Sequence, residues 1–158
     1  MNKIIIFILA LTFISCTAEK KQGQLISLTQ LEEIIAQDKE EVLIINFWAT
    51  WCKPCIAEMP EFEKINNDYD KVRVLFVSID FPEEVESRVL PFLEKKQLKS
   101  EVVILDESDQ NLFINTIEDS WSGAIPASLI LQNKKKFRTF HEGQLTYEEL
   151  ESIIKPIL

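Results

Sequence analysis

Three stretches of this chain are apolar without alternation: "EVLIINFW" (41–48), "KVRVLFVSID" (71–80) and "EVVILD" (101–106). A strand with one face in water alternates apolar and polar side chains, because successive residues point to opposite faces. A continuous run of strand length is the pattern of a strand covered on both faces, the usual condition of parallel sheets. Helical periodicity separates the runs. "LTQLEEIIAQ" (28–37) places Leu28, Leu31, Ile34 and Ile35 on one face, with Thr29 as candidate cap. A second helix is expected from Pro54 to about Asn67, with Ile56, Met59, Phe62 and Ile65 turned inward and a kink at Pro60. Residues 82–97 read as a third, with Val85, Val89, Phe92 and Leu93 on its apolar face.

The remaining elements are shorter. "LIS" (25–27) reads as a strand and "DQNLFINTI" (109–117) as a short helix or turn. "PASLILQ" (126–132) and "KFRTFHEG" (136–143) read as two strands joined by the polar turn "NKKK" (133–136). "TYEELESIIKPIL" (146–158) reads as a final helix, with Thr146 and Glu149 spaced as a capping box. Strand and helix alternate, then a hairpin and a helix close the chain. This order predicts an α/β fold: a mixed central sheet with helices on both faces, its parallel strands first and an antiparallel edge pair last.

The N-terminal segment follows other rules. Lys3 precedes "IIIFILALTFI" (4–14), eleven residues that would span about 16 Å as a helix, against a bilayer core of about 30 Å. A basic start, a short apolar core and small residues after it form the pattern of a secretory signal. Residues 1–15 are therefore expected to be a signal peptide, 16–24 a polar tether and 25–158 one folded domain. The net charge is −9, and −10 once the signal and its lysine are set aside. Such acidity argues against nucleic-acid binding, which requires a basic face. Three glycines (Gly23, Gly123 and Gly143) are too few for a glycine-rich phosphate loop.

The chain has three cysteines, Cys16, Cys52 and Cys55. Structural zinc needs four ligands, and the sequence offers one C-x-x-C pair and one histidine, His141. A staple closing four residues stabilises by roughly 2 kcal/mol in the chain-entropy model, little for a domain of this length. A redox pair fits better. Cys52 would sit at a helix N-terminus, where unpaired amides and the helix dipole favour a thiolate. Lys53 adds a cation, Pro54 suits the first helical turn, and Cys55 is spaced to attack a mixed disulfide formed on Cys52. A C-x-x-C within a βαβ pattern reads as thioredoxin-like.

The string "FWATWCKPCIAEMPEF" (47–62), the preceding "VLIIN" (42–46) and "GAIPASLIL" (123–131) resemble the thioredoxin-like disulfide reductases of the bacterial envelope, the TlpA/ResA group, over about residues 40–158. That resemblance implies that Cys52 attacks and Cys55 resolves, and that Ile125-Pro126 is a cis bond beside the disulfide. It further implies that Glu58 lies near the pair and helps to move protons, and that Trp51, Lys53, Pro54, Ile125 and Pro126 face the substrate. Asn46 takes the place where thioredoxins proper bury an aspartate. Ile125 departs from the threonine or valine common before that proline. "FISC" (13–16) resembles a lipoprotein signal, except that Phe13 replaces the usual leucine, and implies that Cys16 carries a lipid.

The expected activity is thus that of a lipid-anchored envelope thiol–disulfide oxidoreductase, working as a reductase generally or in cytochrome c maturation. Its partners would be a disulfide-bearing protein substrate and a membrane thiol reductant. It would need no metal and no cofactor beyond the Cys52–Cys55 disulfide. The alternatives are an oxidase or isomerase, a copper-handling protein using Cys52, Cys55 and His141, and a non-catalytic scaffold lipoprotein. Trp121 either lines the substrate groove or only packs beside it. His141 and Lys134–Lys136 read as surface residues.

Overall fold

A computed structural model describes residues 22–158. The expected signal peptide, Cys16 and most of the tether lie outside those residues. Strand β2 (Val42–Trp48) is buried along its whole length. It pairs in parallel with β3 (Val72–Ser78), which pairs in parallel with β4 (Glu101–Leu105). On its other side β2 pairs antiparallel with β5 (Ala127–Gln132), and β5 pairs with β6 (Phe137–Glu142). Strand β1 (Gln22–Ile26) adds to β4 in parallel, giving six strands in the order β1-β4-β3-β2-β5-β6.

The strand expected at 25–27 therefore opens earlier, within residues read as tether, and stops before Ser27. Its pairing is irregular between Gln22 and Gln24. Gly23 sits there at φ +71°, a left-handed backbone that favours glycine.

The two faces of β2 feed two apolar layers. Val42, Ile44 and Trp48 pack under α2 (Lys53–Asp68) and α5 (Tyr147–Ile154). Leu43, Ile45 and Phe47 pack under α1 (Leu28–Ile35) and α4 (Gln110–Ile117). Among the described residues, no helix is long and apolar enough to cross a membrane.

Local chemistry moved several expected boundaries. The cap of α1 is Ser27, not Thr29. Ser27 is extended, its Oγ accepts from Gln30 N–H at 3.2 Å, and Gln30 Oε1 accepts from Ser27 N–H at 2.9 Å. Pro60 occupies an exposed position in α2, and the helix runs on to Asp68. The single helix expected over 82–97 is three pieces: a 3₁₀ turn (Pro82–Glu84), a π turn (Val85–Val89) and α3 (Leu90–Lys96). Pro91 has no N–H for an α-helical bond, and Leu90 N–H reaches back five residues to the Val85 carbonyl. The last helix ends at Ile154 and tightens to a 3₁₀ turn around Pro156 for the same reason. Its Thr146–Glu149 capping box is formed.

Candidate active site

The loop leaving β2 delivers Thr50–Trp51–Cys52 to the start of α2. Asp80, just past β3, fixes that loop. Its carboxylate accepts from Thr50 N–H at 2.9 Å, from Thr50 Oγ1 at 2.5 Å and from Ser78 Oγ at 2.7 Å. Asp80 is 1% exposed, and these bonds satisfy a buried carboxylate that would otherwise be costly. Sequence reasoning passed over it; the signal was an aspartate closing an apolar strand run.

Cys52 is the N-cap of α2 and is joined to Cys55 by a disulfide. Its Sγ accepts from Cys55 N–H at 3.3 Å, so a helix N-terminal donor points at the first sulfur. Cys52 retains 4% exposure and Cys55 none, which leaves Cys52 as the sulfur a partner can reach. Lys53 and Pro54 form the exposed first turn, and Trp51 beside them is 56% exposed. Ile125-Pro126 is a cis peptide, as the resemblance implied. The Ile125 carbonyl oxygen lies 3.8 Å from Cys52 Sγ.

Trp121 is packed in the core. Its ring packs against Phe47, Phe113 and Phe140, and its Nε1 donates to the Ala124 carbonyl at 2.8 Å. It also lines a cleft beside the proline loop. That loop is tied down again where Glu142 accepts from Ser122 N–H at 2.8 Å and Ser122 Oγ at 2.6 Å.

The face that α2 turns inward holds Met59, Phe62 and Ile65 as expected and widens to take in Cys55 and Glu58. Cys55, Glu58, Met59, Phe62 and Ile65 are buried, whereas Ile56 is half-buried. Glu58 is thus 3% exposed, one turn after Cys55. Its Oε1 accepts from Asn46 Nδ2 at 2.8 Å and its Oε2 from Leu145 N–H at 2.8 Å. Burial pushes its pKa up to about 7, against the lowering pull of the Leu145 and Asn46 hydrogen bonds. A group titrating near neutrality is suited to proton transfer.

Asn46 also donates to Ser128 Oγ at 3.1 Å, its direct partner across β2 and β5. With both N–H groups engaged, its own Oδ1 is buried without a protein partner. Ser128 and the Leu145 backbone were not foreseen, since only strand pairing brings the first to Asn46 and only the β6–α5 loop brings the second to Glu58.

Among the described residues, no group of three or more His, Cys, Asp or Glu side chains is arranged to hold a metal. His141 stands half-buried on β6, opposite Ser128.

The sequence pattern of the AhpC/TSA family matches residues 11–139, most of the chain. The chain belongs to that family. Among relatives, thioredoxin-like protein YneN of Bacillus subtilis is 34% identical over 72% of this chain and 63% of its own length. A thiol-disulfide oxidoreductase ResA of Bacillus cereus is 29% identical over 75% of this chain and 65% of its own. The chain thus spans a little under two thirds of the length of these two relatives. Their names agree with the TlpA/ResA resemblance.

Solved structures share the fold. StoA from Bacillus subtilis superposes with a TM-score of 0.56 at 26% identity, over 75% of this chain and 84% of that one. A thioredoxin-related protein from Neisseria meningitidis superposes at 0.64 and 24% identity, over 75% and 86%. The mixed α/β sheet with two helical layers expected from the strand order, and the thioredoxin-like fold implied by the C-x-x-C pair and the resemblance, are observed.

Proposed function

We propose that the protein is a thiol–disulfide oxidoreductase that reduces protein disulfides at the cell envelope, anchored to a membrane through a lipid on Cys16. The observation that carries the reading is the position of Cys52: helix cap, reachable sulfur, bonded to a buried Cys55, with the Ile125 carbonyl alongside. In the reduced protein the Cys52 thiolate attacks one sulfur of a substrate disulfide. An S–S bond forms between them, and the other substrate sulfur leaves as a thiolate and takes a proton. The Cys55 thiol gives up its proton, to Glu58 or water, and attacks Cys52 Sγ. The second substrate thiol departs and the Cys52–Cys55 disulfide closes, so two electrons have passed to the substrate. A membrane thiol reductant returns them.

The reductase direction draws on the resemblance and is tested by the reduction potential. In this superfamily potentials run from about −270 mV for reductants to about −120 mV for oxidants. A value near the first is expected, and one near the second would replace reductase by oxidase. Changing Cys55 to Ser should trap mixed disulfides on Cys52 in cells. Cytochrome c apoproteins on Cys52 would assign the protein to haem-attachment maturation, and many unrelated proteins to general reduction. An empty Cys52 would defeat the mechanism.

A further inference from the structure

A cleft opens beside the candidate active site, its walls including Ile79, Phe81, Leu105, Phe113, Ile114 and Trp121. It joins the two loops that flank Cys52. Asp80, on its wall, anchors Thr50, and Gly123, also on its wall, precedes the Ile125 carbonyl that touches Cys52 Sγ. Phe81 is 55% exposed at its rim, although a phenyl ring gains by leaving water.

The three loops around the cleft read "DFPEEVE" (80–86), "LDESDQ" (105–110) and "EDSWSG" (118–123), rich in carboxylates and free of lysine and arginine. Neighbouring arginines engage two of these acids, Arg88 with Glu84 and Arg138 with Glu118. Asp80 and Asp109 are occupied within the protein, by Thr50 with Ser78 and by the N-terminus of α4, while Glu107 lines the apolar cleft itself and exposed Glu83 adjoins its lining residue Pro82.

We propose that this cleft is a substrate subsite, taking an aromatic or large aliphatic side chain that stands a few residues from the attacked cysteine and beside a lysine or arginine. The apolar walls take the first and the rim carboxylates the second. The inference rests on the thiol–disulfide exchange proposed above and adds to it the class of polypeptide that is preferred.

The test uses the reduced protein and synthetic peptides, each holding one cysteine as a mixed disulfide with glutathione. One set carries Phe and Arg two to four residues from the cysteine; the other carries Ala and Glu. Each rate is normalised to that with dithiobis-nitrobenzoate on the same protein. The Phe/Arg set should react about tenfold faster or more, the discrimination that one buried apolar group supports, and added salt should shrink the part due to Arg. Phe81→Ala should reduce the Phe preference. The surface charge reversal Glu83→Lys with Glu107→Lys should turn the Arg preference towards Glu. Equal rates for the two sets, or preferences unmoved in both variants, would overturn the subsite. A wild-type protein that reduces neither the peptides nor dithiobis-nitrobenzoate would instead defeat the exchange reading beneath it.

Discussion

Glu58 shares the inward face of α2 with Cys55, Met59 and Phe62, and the fold buries its carboxyl among apolar atoms. Its pKa rises from 4.5 to about 7. Across that window the native protein holds a proton that the unfolded chain has released, so the contribution of Glu58 to stability falls as pH rises and stays low above it. At about 1.4 kcal/mol per pKa unit the whole effect is at most about 3–4 kcal/mol. Glu142, Glu149 and Glu151 are shifted the opposite way, so comparison with a variant is needed to isolate it. In urea unfolding, the stability of Glu58→Gln relative to the parent should improve steadily from about pH 4.5 to about 7; a constant offset would contradict the assignment. Disulfide exchange in that variant should also lose an inflection near pH 7. The cysteines were legible because spacing and local chemistry define them. The burial of Glu58 was not, because a glutamate on an amphipathic helix faces water unless a particular neighbour covers it. Here that neighbour is Leu145, 87 residues away in sequence.

At the scale of single elements, caps and prolines decide where helices begin and end. Ser27 and Thr29 are both acceptable caps by residue type, and the extended backbone at Ser27 with the reciprocal Gln30 bond selects the first. Ser27→Ala should cost about 1 kcal/mol, whereas Thr29→Ala should change stability by only a few tenths. Urea midpoints of the two variants measure this directly, and a larger loss at Thr29 would restore the cap expected from sequence. Residues 85–96 show the complementary case. Their apolar spacing is helical, and Val85, Val89 and Leu93 are indeed buried. Pro91 nevertheless removes a backbone donor, and the chain accommodates it by a π turn rather than by abandoning the helix.

Across the whole molecule, the sheet order places the carboxyl ends of β2 and β3 together at the centre, with β5 alongside. Ligand sites in open α/β sheets lie outside such strand ends, and here the loops from β2 and β3 and the one leading into β5 carry Cys52, Asp80 and Pro126. The proposed anchor belongs to this scale too. Cys16→Ala should shift the protein from the detergent-extracted membrane fraction to the aqueous one, and the parent's intact mass should include acyl chains on Cys16. A parent free of lipid would leave export without anchoring. The sequence by itself determined the strand runs, the α/β class, the C-x-x-C pair and the acidity of the chain, because periodicity, spacing and charge are local properties. Only the tertiary structure decided that Glu58 is buried, that Asn46 and the Leu145 amide meet it, that Asp80 fixes the cysteine loop, and that three acidic loops border one apolar cleft. Each of those contacts joins residues from different elements, and it is the packing of strands, helices and loops, not any local preference, that brings them together.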